Sequence, residues 1–396
     1  MHDDDIIHLL RLTLAPGVGP VRAAALIERF GSARAVLAAP ASELELVKGI
    51  GRKLSAAITA SAKESAALAQ AEVERARAHG IKILGKGHPD YPALLGALPN
   101  APILLYVRGA IDPHGPGRFP VAIVGSRHCT TYGLEQAERF GSILAQSGLM
   151  IVSGGARGID TAAHRGALRA QGRTVVVLGC GLEHCYPAEN QGLFDEVVAR
   201  GGAVVSELPL GTPPSAENFP ARNRIISGLS LGVLVIEAGA GSGALITARQ
   251  ALEEHGREVM ALPGRVDSPA SQGSLALLKE GGAALVTEPG DVIALLESPA
   301  RHVHAGTHEA RYQPGVNGTG EGGPWLFAPT TELSLPPLDD ASLAILAAAE
   351  GSTLDEICAR TALPVSQVRS QLTLLVIARR VIREGSRFRA AGGPSR

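Results

Sequence analysis

The chain predicts an α/β protein built on a doubly wound, mostly parallel sheet, and three observations carry that prediction. Seven short apolar runs recur through its middle: "VAIV" (121–124), "LMIV" (149–152), "TVVVL" (174–178), "AVV" (203–205), "VLVIEA" (233–238), "VMAL" (259–262) and "ALV" (284–286). Helical periodicity at crossover length separates most of them. Continuous apolar strands alternating with helices mark a Rossmann-like sheet covered on both faces, whose ligands gather at the carboxyl ends of the strands near the point where strand order reverses. At 396 residues the chain exceeds one ordinary core, so further domains are expected on either side.

Residues 1–80 are Ala- and Leu-rich and helical in period. Two Gly-hydrophobic-Gly turns, Gly17-Val18-Gly19 and Gly49-Ile50-Gly51, each open an amphipathic stretch. Such turns resemble helix-hairpin-helix motifs, in which a tight turn and the next helix N-terminus meet a DNA phosphate. The plainer reading is a helical bundle with glycine turns, and no basic residue flanks Gly17–Gly19 closely enough for a strong contact. Residues 81–120 alternate short strand-like runs with Pro-rich turns and read as a connector. The Rossmann-like domain is expected over 121–296. Residues 297–337 are rich in Gly, Pro and Thr without periodicity and read as a flexible linker. His302, His304 and His308 fall there, without partners for a metal.

Periodicity returns over 338–391 as three helices, with Thr353 and Pro364 near two helix starts, followed by "VIREGSRFRA". The order resembles a winged helix. Residues 371–396 hold six arginines and one glutamate, net +5; Arg379, Arg380, Arg383, Arg387 and Arg389 form the candidate basic patch. Winged helices serve DNA and protein partners alike, and the sequence leaves both open.

Composition narrows the class. Apolar residues make up 45% and charged residues 19%, the balance of a globular protein. Net charge is −1, so any nucleic-acid site must be a local patch, and 3% aromatics leaves few rings for base stacking. Four cysteines without framework spacing read as reduced thiols of a cytoplasmic protein. "CGLEHC" (Cys180–Cys185) offers three candidate ligands where a structural metal needs four, so no metal is expected. An acidic start and no 18-residue apolar run predict neither a secretory leader nor a membrane span.

Four loops follow strand ends of the central domain, and a parallel sheet would bring them to one edge. They are "GSRHCTTYG" (125–133), "SGGARGIDTAAH" (153–164), "SELPLGTPPSAENFPARNRIISG" (206–228) and "EAGAGSGALITARQA" (237–251). Gly125, Gly154, Gly155, Gly158, Gly241 and Gly243 would let backbone approach a ligand. Ser126, Ser153, Ser242 and Thr247 supply hydroxyls, and Arg127, Arg157, Arg222 and Arg224 supply planar cations suited to phosphate. Asn223 lies between the last two. Asp160 and His164, one helical turn apart, are either a general acid–base pair or a brace for the loop, and with no nucleophile nearby the brace is favoured. The spacing fits neither a G-x-G-x-x-G dinucleotide fingerprint nor a Walker A loop, and no cofactor is expected.

"VAIVGSR", "SGGARGIDTAAH", "GCGLEHCYPAEN", "SELPLGTPP", "FPARNRIISGLS" and "GSGALITARQALEEHGR", in this order, resemble the DNA-processing protein A (DprA, also called Smf) family over roughly Ile7 to Leu296. The resemblance implies a non-enzymatic homodimer that binds single-stranded DNA, protects it from nucleases, displaces single-strand-binding protein and loads RecA recombinase during natural transformation. It implies a phosphate pocket of Ser126, Arg127, Gly154, Gly155, Arg222, Asn223, Arg224, Ser242, Gly243 and Thr247, with Arg157 and Gly158 beside it. Two positions depart from the family pattern. Leu275 stands where an Asn is usual, and residues 212–218 lack a basic side chain, which shifts weight onto Arg222 and Arg224.

The competing reading is an enzyme. The same fold variant resembles nucleoside-monophosphate phosphoribohydrolases, whose P-G-G-x-G-T-x-x-E loop carries a catalytic Glu. Here the loop is "AGSGALITA", with no Glu after Gly243 until Glu253, so water activation has no agent. A metabolite-binding regulator on the same fold is a third reading.

Overall fold

The computed structural model describes residues 3–111, 119–304, 339–377, 380–384 and 387–390. Its centre is a nine-stranded sheet in the order β1-β2-β6-β5-β4-β3-β7-β8-β9. The strands are β1 (Ile81–Gly85), β2 (Leu104–Gly109), β3 (Phe119–Val124), β4 (Leu149–Ser153), β5 (Thr174–Val177), β6 (Ala203–Ser206), β7 (Gly232–Val235), β8 (Glu258–Ala261) and β9 (Ala284–Leu285). From β6 to β9 all pairs are parallel, with Val121 opposite Ile151, Val152 opposite Val175 and Ala122 opposite Val233. Most of these strands are buried throughout, which is why the sequence shows runs rather than alternation.

Segment 81–120 is more than a connector. It supplies β1 and β2, which extend the sheet antiparallel beyond β6, with Tyr106 opposite Ser206. Between them the chain crosses one face through α7 (Ala93–Gly96) and seats Tyr91, Leu95 and Leu98 in that face's core. Their apolar side chains satisfy a sheet edge and a helical domain at once, so no clean period-2 pattern was there to be read.

Helices cover both faces. α8 (Thr131–Gln146), α9 (Ile159–Arg169) and α14 (Pro289–His304) pack Phe140, Leu144, Ala163 and Val292 on one side. α11 (Asn218–Gly228), α12 (Gly243–Arg249) and α13 (Gln272–Lys279) serve the other, through Ile225, Ile226, Ala244 and Ala248. α10 (Gln191–Ala199) closes the sheet near β5 and β6 with Phe194 and Val197. α14 carries regular structure to His304, past the expected start of the linker, because its apolar face (Val292, Leu296) anchors it on β7 and β8. His308 lies outside the described residues, as do the side chains of His302 and His304 and segment 305–338.

The chain leaves β3 through α8 toward β4 on one side, and returns from β6 through α11 to β7 on the other. The strand order therefore reverses between β3 and β7, and their carboxyl ends open a crevice.

The N-terminal region is six helices, α1 (Asp3–Thr13), α2 (Pro20–Phe30), α3 (Ala33–Ala38), α4 (Ala41–Leu44), α5 (Arg52–Glu64) and α6 (Ala66–Ala78). The two Gly turns are geometrically alike. Gly17 and Gly49 both have φ +86°, a conformation L side chains resist. Gly19 and Gly51 are the extended N-caps of α2 and α5. The helices share a core with Ile81, Leu104, Tyr106 and Leu210 of the sheet domain. Two polar ties add to it: Glu72 Oε1 accepts from the Leu210 N–H at 2.7 Å, and Arg75 forks onto Glu183 at 3.2 and 2.9 Å.

The C-terminal unit holds α15 (Asp340–Ala348), β10 (Ser352–Thr353), α16 (Leu354–Thr361), α17 (Val365–Ile377), β11 (Val381–Glu384) and β12 (Arg387–Ala390), with sheet order β10-β12-β11. Three helices followed by a β11–β12 hairpin are consistent with a winged helix, and β10, which the sequence did not suggest, adds a third strand. Thr353 caps α16 in a full capping box with Glu356, and Pro364 directly precedes α17. Arg387 turns back onto its own unit, donating to Gly351 O and lying 3.6 Å from Glu356. Arg379 lies outside the described residues, as does the side chain of Arg383.

Because Glu72 satisfies a backbone donor at the seam between the helical and sheet domains, Glu72→Ala should cost about 1–3 kcal/mol, the usual penalty of an orphaned buried donor. Glu72→Gln, which keeps the acceptor, should stay close to wild type; urea melts of the two variants compare them directly.

Candidate nucleic-acid interface

The crevice at the switch point is a cavity of about 740 Å³. Gly125–His128 after β3, Ala156 and Asp160 after β4, Phe219, Arg222 and Asn223 on α11, and Gly239, Gly241–Ala244 and Thr247 after β7 are among the residues that line it. Three of the four expected loops therefore converge directly, and the second contributes mainly through Ala156 and Asp160.

Arg127 is exposed, and its guanidinium carbon stands 5.0 Å from the centroid of Phe219. Among the described residues it makes no ion pair. The loop that carries it is held from β7: Glu237 O accepts from Ser126 N–H at 2.7 Å, and the Glu237 carboxylate accepts from Thr130 N–H at 2.7 Å and Thr130 Oγ–H at 2.9 Å. Ser126 Oγ accepts from His128 N–H at 3.1 Å, closing the turn. On the facing wall Gly241 and Gly243 are exposed, with open space where a Cβ would stand. Ser242 caps α12, Thr247 is buried at the wall, and Asn223 Nδ2 donates to Gly243 O at 3.3 Å.

Several expected pocket residues serve the protein instead. Arg222 reaches the floor of the crevice, but it is 95% buried; Nη1 donates to Gly154 O at 2.8 Å and to Val177 O, and Nε to Asn223 Oδ1 at 3.3 Å. Burial pulls its pKa to about 10, with Asp160 opposing, so it remains a cation. Arg224 does not line the crevice: two residues along a helix is about 200° of rotation, and the side chain turns away to pair with Glu207. Arg157 is exposed but forks onto Glu189, with Nη2 3.1 Å from Oε2, and anchors the loop's outer edge. Gly154, Gly155 and Gly158 make room for protein, not ligand. A Cβ on Gly154 would meet Arg222 and Asp160 at 2.8 Å, one on Gly155 would meet Val176 at 2.6 Å, and one on Gly158 would meet Ser126 O at 2.5 Å.

Asp160 and His164 form no acid–base pair. Asp160 accepts from Ala156 N–H at 3.2 Å and faces Arg222. Desolvation raises its pKa, and Arg222 and its hydrogen bonds oppose the rise. His164 is fully buried. Thr174 Oγ–H donates to Ile151 O at 2.7 Å, so the His164 Nδ1–H donates to Thr174 Oγ, also at 2.7 Å. His164 thus pins α9 to the strands and does not brace the loop. Asp160 does hold the loop, through Ala156 N–H, and Asn190 is a second brace, whose Nδ2 donates to Gly155 O at 2.9 Å and Thr161 Oγ1 at 2.8 Å.

Sequence reading missed Asn190, Glu237 and an aromatic pair. Tyr186 and Phe219 meet at 5.3 Å in the crevice, so the site does hold rings. All four lie inside the motifs quoted above, which was the available signal. Leu275, on α13, lies outside the crevice lining, so the departure there leaves its walls intact. In "CGLEHC", Cys180, His184 and Cys185 each turn to a different carbonyl, of His184, Gly211 and Pro187.

Fold and site define a Rossmann-like protein with a tandem helix-hairpin-helix domain at its N-terminus and an open, cationic, ring-lined crevice at its switch point. The chain belongs to the DNA recombination-mediator protein A family, whose model matches residues 82–297. A SAM-like helix-hairpin-helix tandem matches residues 9–64. The chain is 36% identical over 405 residues to Protein Smf of Synechocystis sp., covering 98% of this chain and 99% of that one. It is 45% identical over 208 residues to the DNA processing protein DprA of Streptococcus pneumoniae, covering 52% of this chain and 71% of that one. The X-ray structure of the Streptococcus pneumoniae protein superposes with a TM-score of 0.63 at 33% identity, over 74% of this chain and 98% of that one. No helix among the described residues is long and apolar enough to cross a membrane.

Burial holds His164 neutral, with its pKa pushed down to about 3. Below the ordinary histidine value near 6.5 the unfolded chain binds a proton that the folded chain refuses. This group's stabilisation is complete above that value and is lost as pH falls toward the folded one. His164→Asn keeps a donor for Thr174 and removes the titration. Urea midpoints measured from pH 8 to pH 4.5 should therefore fall less steeply for the variant than for wild type.

Proposed function

We propose that the crevice holds the sugar-phosphate backbone of single-stranded DNA, and that the protein acts as a cytoplasmic recombination mediator rather than an enzyme. One observation carries the reading: among the described residues Arg127 is an exposed guanidinium that forms no ion pair, facing two glycines with open space above them, while Arg157 and Arg224 are paired and Arg222 is buried on carbonyls. A phosphate is the ligand such an arrangement suits, through charge-assisted bonds and close backbone approach. Family membership supplies the polymer. Tyr186 and Phe219 give bases a stacking surface without sequence readout.

In this reading Ser126, Arg127, Ser242, Gly243 and Thr247 meet the strand, and Asn223 steadies the Gly243 loop. Arg222, Gly154, Gly155, Gly158 and Arg157 shape the walls. RecA recombinase, single-strand-binding protein and a second copy of the chain are the proposed partners, in natural transformation. The hydrolase reading has one favouring observation, a buried carboxylate, Asp160, at the crevice wall. That carboxylate is already committed to Ala156 N–H and Arg222, so it is not free to activate water.

Arg127→Ala should weaken single-stranded DNA binding across all sequences by about 1–3 kcal/mol, the range for a charge-assisted contact, and should flatten the salt dependence. A gel-shift series in which the variant binds like wild type would remove Arg127 from the site. Incubation with AMP and related nucleotides should release no free base; release would bring the hydrolase reading forward.

A further inference from the structure

The C-terminal unit rests on the sheet domain through α17, the helix that a winged helix would lay against a duplex. α17 lies against α8 and α14. Arg369 Nη1 donates to Gln146 Oε1, at the end of α8, at 2.7 Å. Ser370 sits so close to Gly148 that a Cβ there would lie 2.6 Å from its Oγ. Val365, Ser366 and Arg369 face Gln146, Arg169, Ala170 and Gln171 across a cleft of about 260 Å³. The N-terminal half of α17 is therefore turned toward the protein. In helix-turn-helix recognition this half carries the residues that enter the major groove.

Gln146–Arg369 is a charged-to-neutral hydrogen bond rather than an ion pair, because the Gln146 amide carries no charge, and Arg169 beside it is paired with Glu138. Beside the close Gly148–Ser370 contact, the cleft leaves part of the two surfaces apart. We propose that the docked C-terminal unit is a latched state, in which the end of α8 occupies the face of α17 that would bind duplex DNA, so that docking and duplex binding exclude one another. Apparent duplex affinity is then the intrinsic affinity scaled by the undocked fraction, and a tenfold docked excess lowers it about tenfold. The coupling runs both ways, and duplex binding opens the latch.

Gln146 allows the latch to be moved in both directions from the core side without touching the C-terminal unit. Gln146→Glu would pair Arg369 and tighten docking; Gln146→Lys would repel Arg369 and Arg169 and loosen it. Anisotropy titrations of the full chain with a 20-base-pair duplex should show tighter binding for Gln146→Lys, by several-fold, and weaker binding for Gln146→Glu. Gln191→Lys and Gln191→Glu make the same charge changes on α10, away from α17, and should leave duplex binding unmoved. Small-angle scattering should show a larger maximum dimension for Gln146→Lys only. Single-stranded DNA binding, measured in parallel, should be unchanged in all four variants, which separates this latch from the crevice assignment. Equal duplex affinity for the two Gln146 variants, or equal shifts in the Gln191 controls, overturns the proposal. So does a Gln146→Lys chain that opens in scattering without binding duplex more tightly, which would make this face of α17 a protein-binding one.

Discussion

The architecture of the crevice turns on one buried guanidinium. Arg222 enters from α11 and gives one nitrogen to two carbonyls, Gly154 after β4 and Val177 at the end of β5. Burying a cation is costly unless its protons are satisfied, and leaving it uncompensated costs several kcal/mol. Those carbonyls, with Asp160 nearby, offset that cost only when α11, β5 and the β4 loop are all in place. The interaction therefore works as a condition: the loop following β4 cannot move without stranding a charge. It also explains why Gly154 must be glycine, because the space its side chain would fill holds Arg222 and Asp160.

A second buried ionisable group does the same for the opposite wall. Glu237 leaves β7 and takes both donors of Thr130, the cap of α8, while its own carbonyl takes Ser126 N–H. The loop between β3 and α8 is thereby tied to β7, the strand on the other side of the reversal point. Gly158 nests against Ser126 O and Arg127 O, so the first two loops fit into one another. Arg127 is carried on a rigid turn with its own side chain left untied, resting on Phe219. Rigid backbone beneath a free cation is what preorganisation of an anion site requires.

Much of this was legible in the sequence, and what was not has physical causes. The parallel strands were visible because both faces are buried, and Thr353 announced its helix through its own side chain. β1 and β2 showed as strand-like runs, but their place in the sheet was not legible, since their residues face a helical domain on one side and the sheet edge on another. The sequence picked out the arginines as a chemical type but could not sort them by role. Arg222 and Arg224 differ only in helical phase, and which phase meets the crevice depends on how α11 seats between β6 and β7. Glycine carries the same ambiguity: Gly154, Gly155 and Gly158 make room for neighbouring protein atoms, whereas Gly241 and Gly243 face open space. Tyr186 and Phe219 lie 33 residues apart in sequence, and only the fold makes them one surface.

The same accounting bears on how a nearly neutral chain would hold a polyanion. One free guanidinium neutralises about one phosphate, and each such contact contributes only about one power of the salt dependence. A crevice of this kind is weak alone and suits a strand that must later be released. Further affinity has to come from other points along the strand, where a tether raises effective concentration without any new chemistry at the crevice. The two glycine turns of the N-terminal domain differ in this respect. Around Gly49–Gly51 the basic residues Lys48, Arg52 and Lys53 are all exposed, whereas at Gly17–Gly19 the nearest one, Arg22, is spent on Gly17 O at 2.8 Å. Backbone geometry is duplicated but charge is not, so of the two turns the second is the one with exposed cations left beside it for an anion. The helical domain is fixed to the sheet through Glu72 and Arg75, which gives that turn a set position relative to the crevice instead of a floating one.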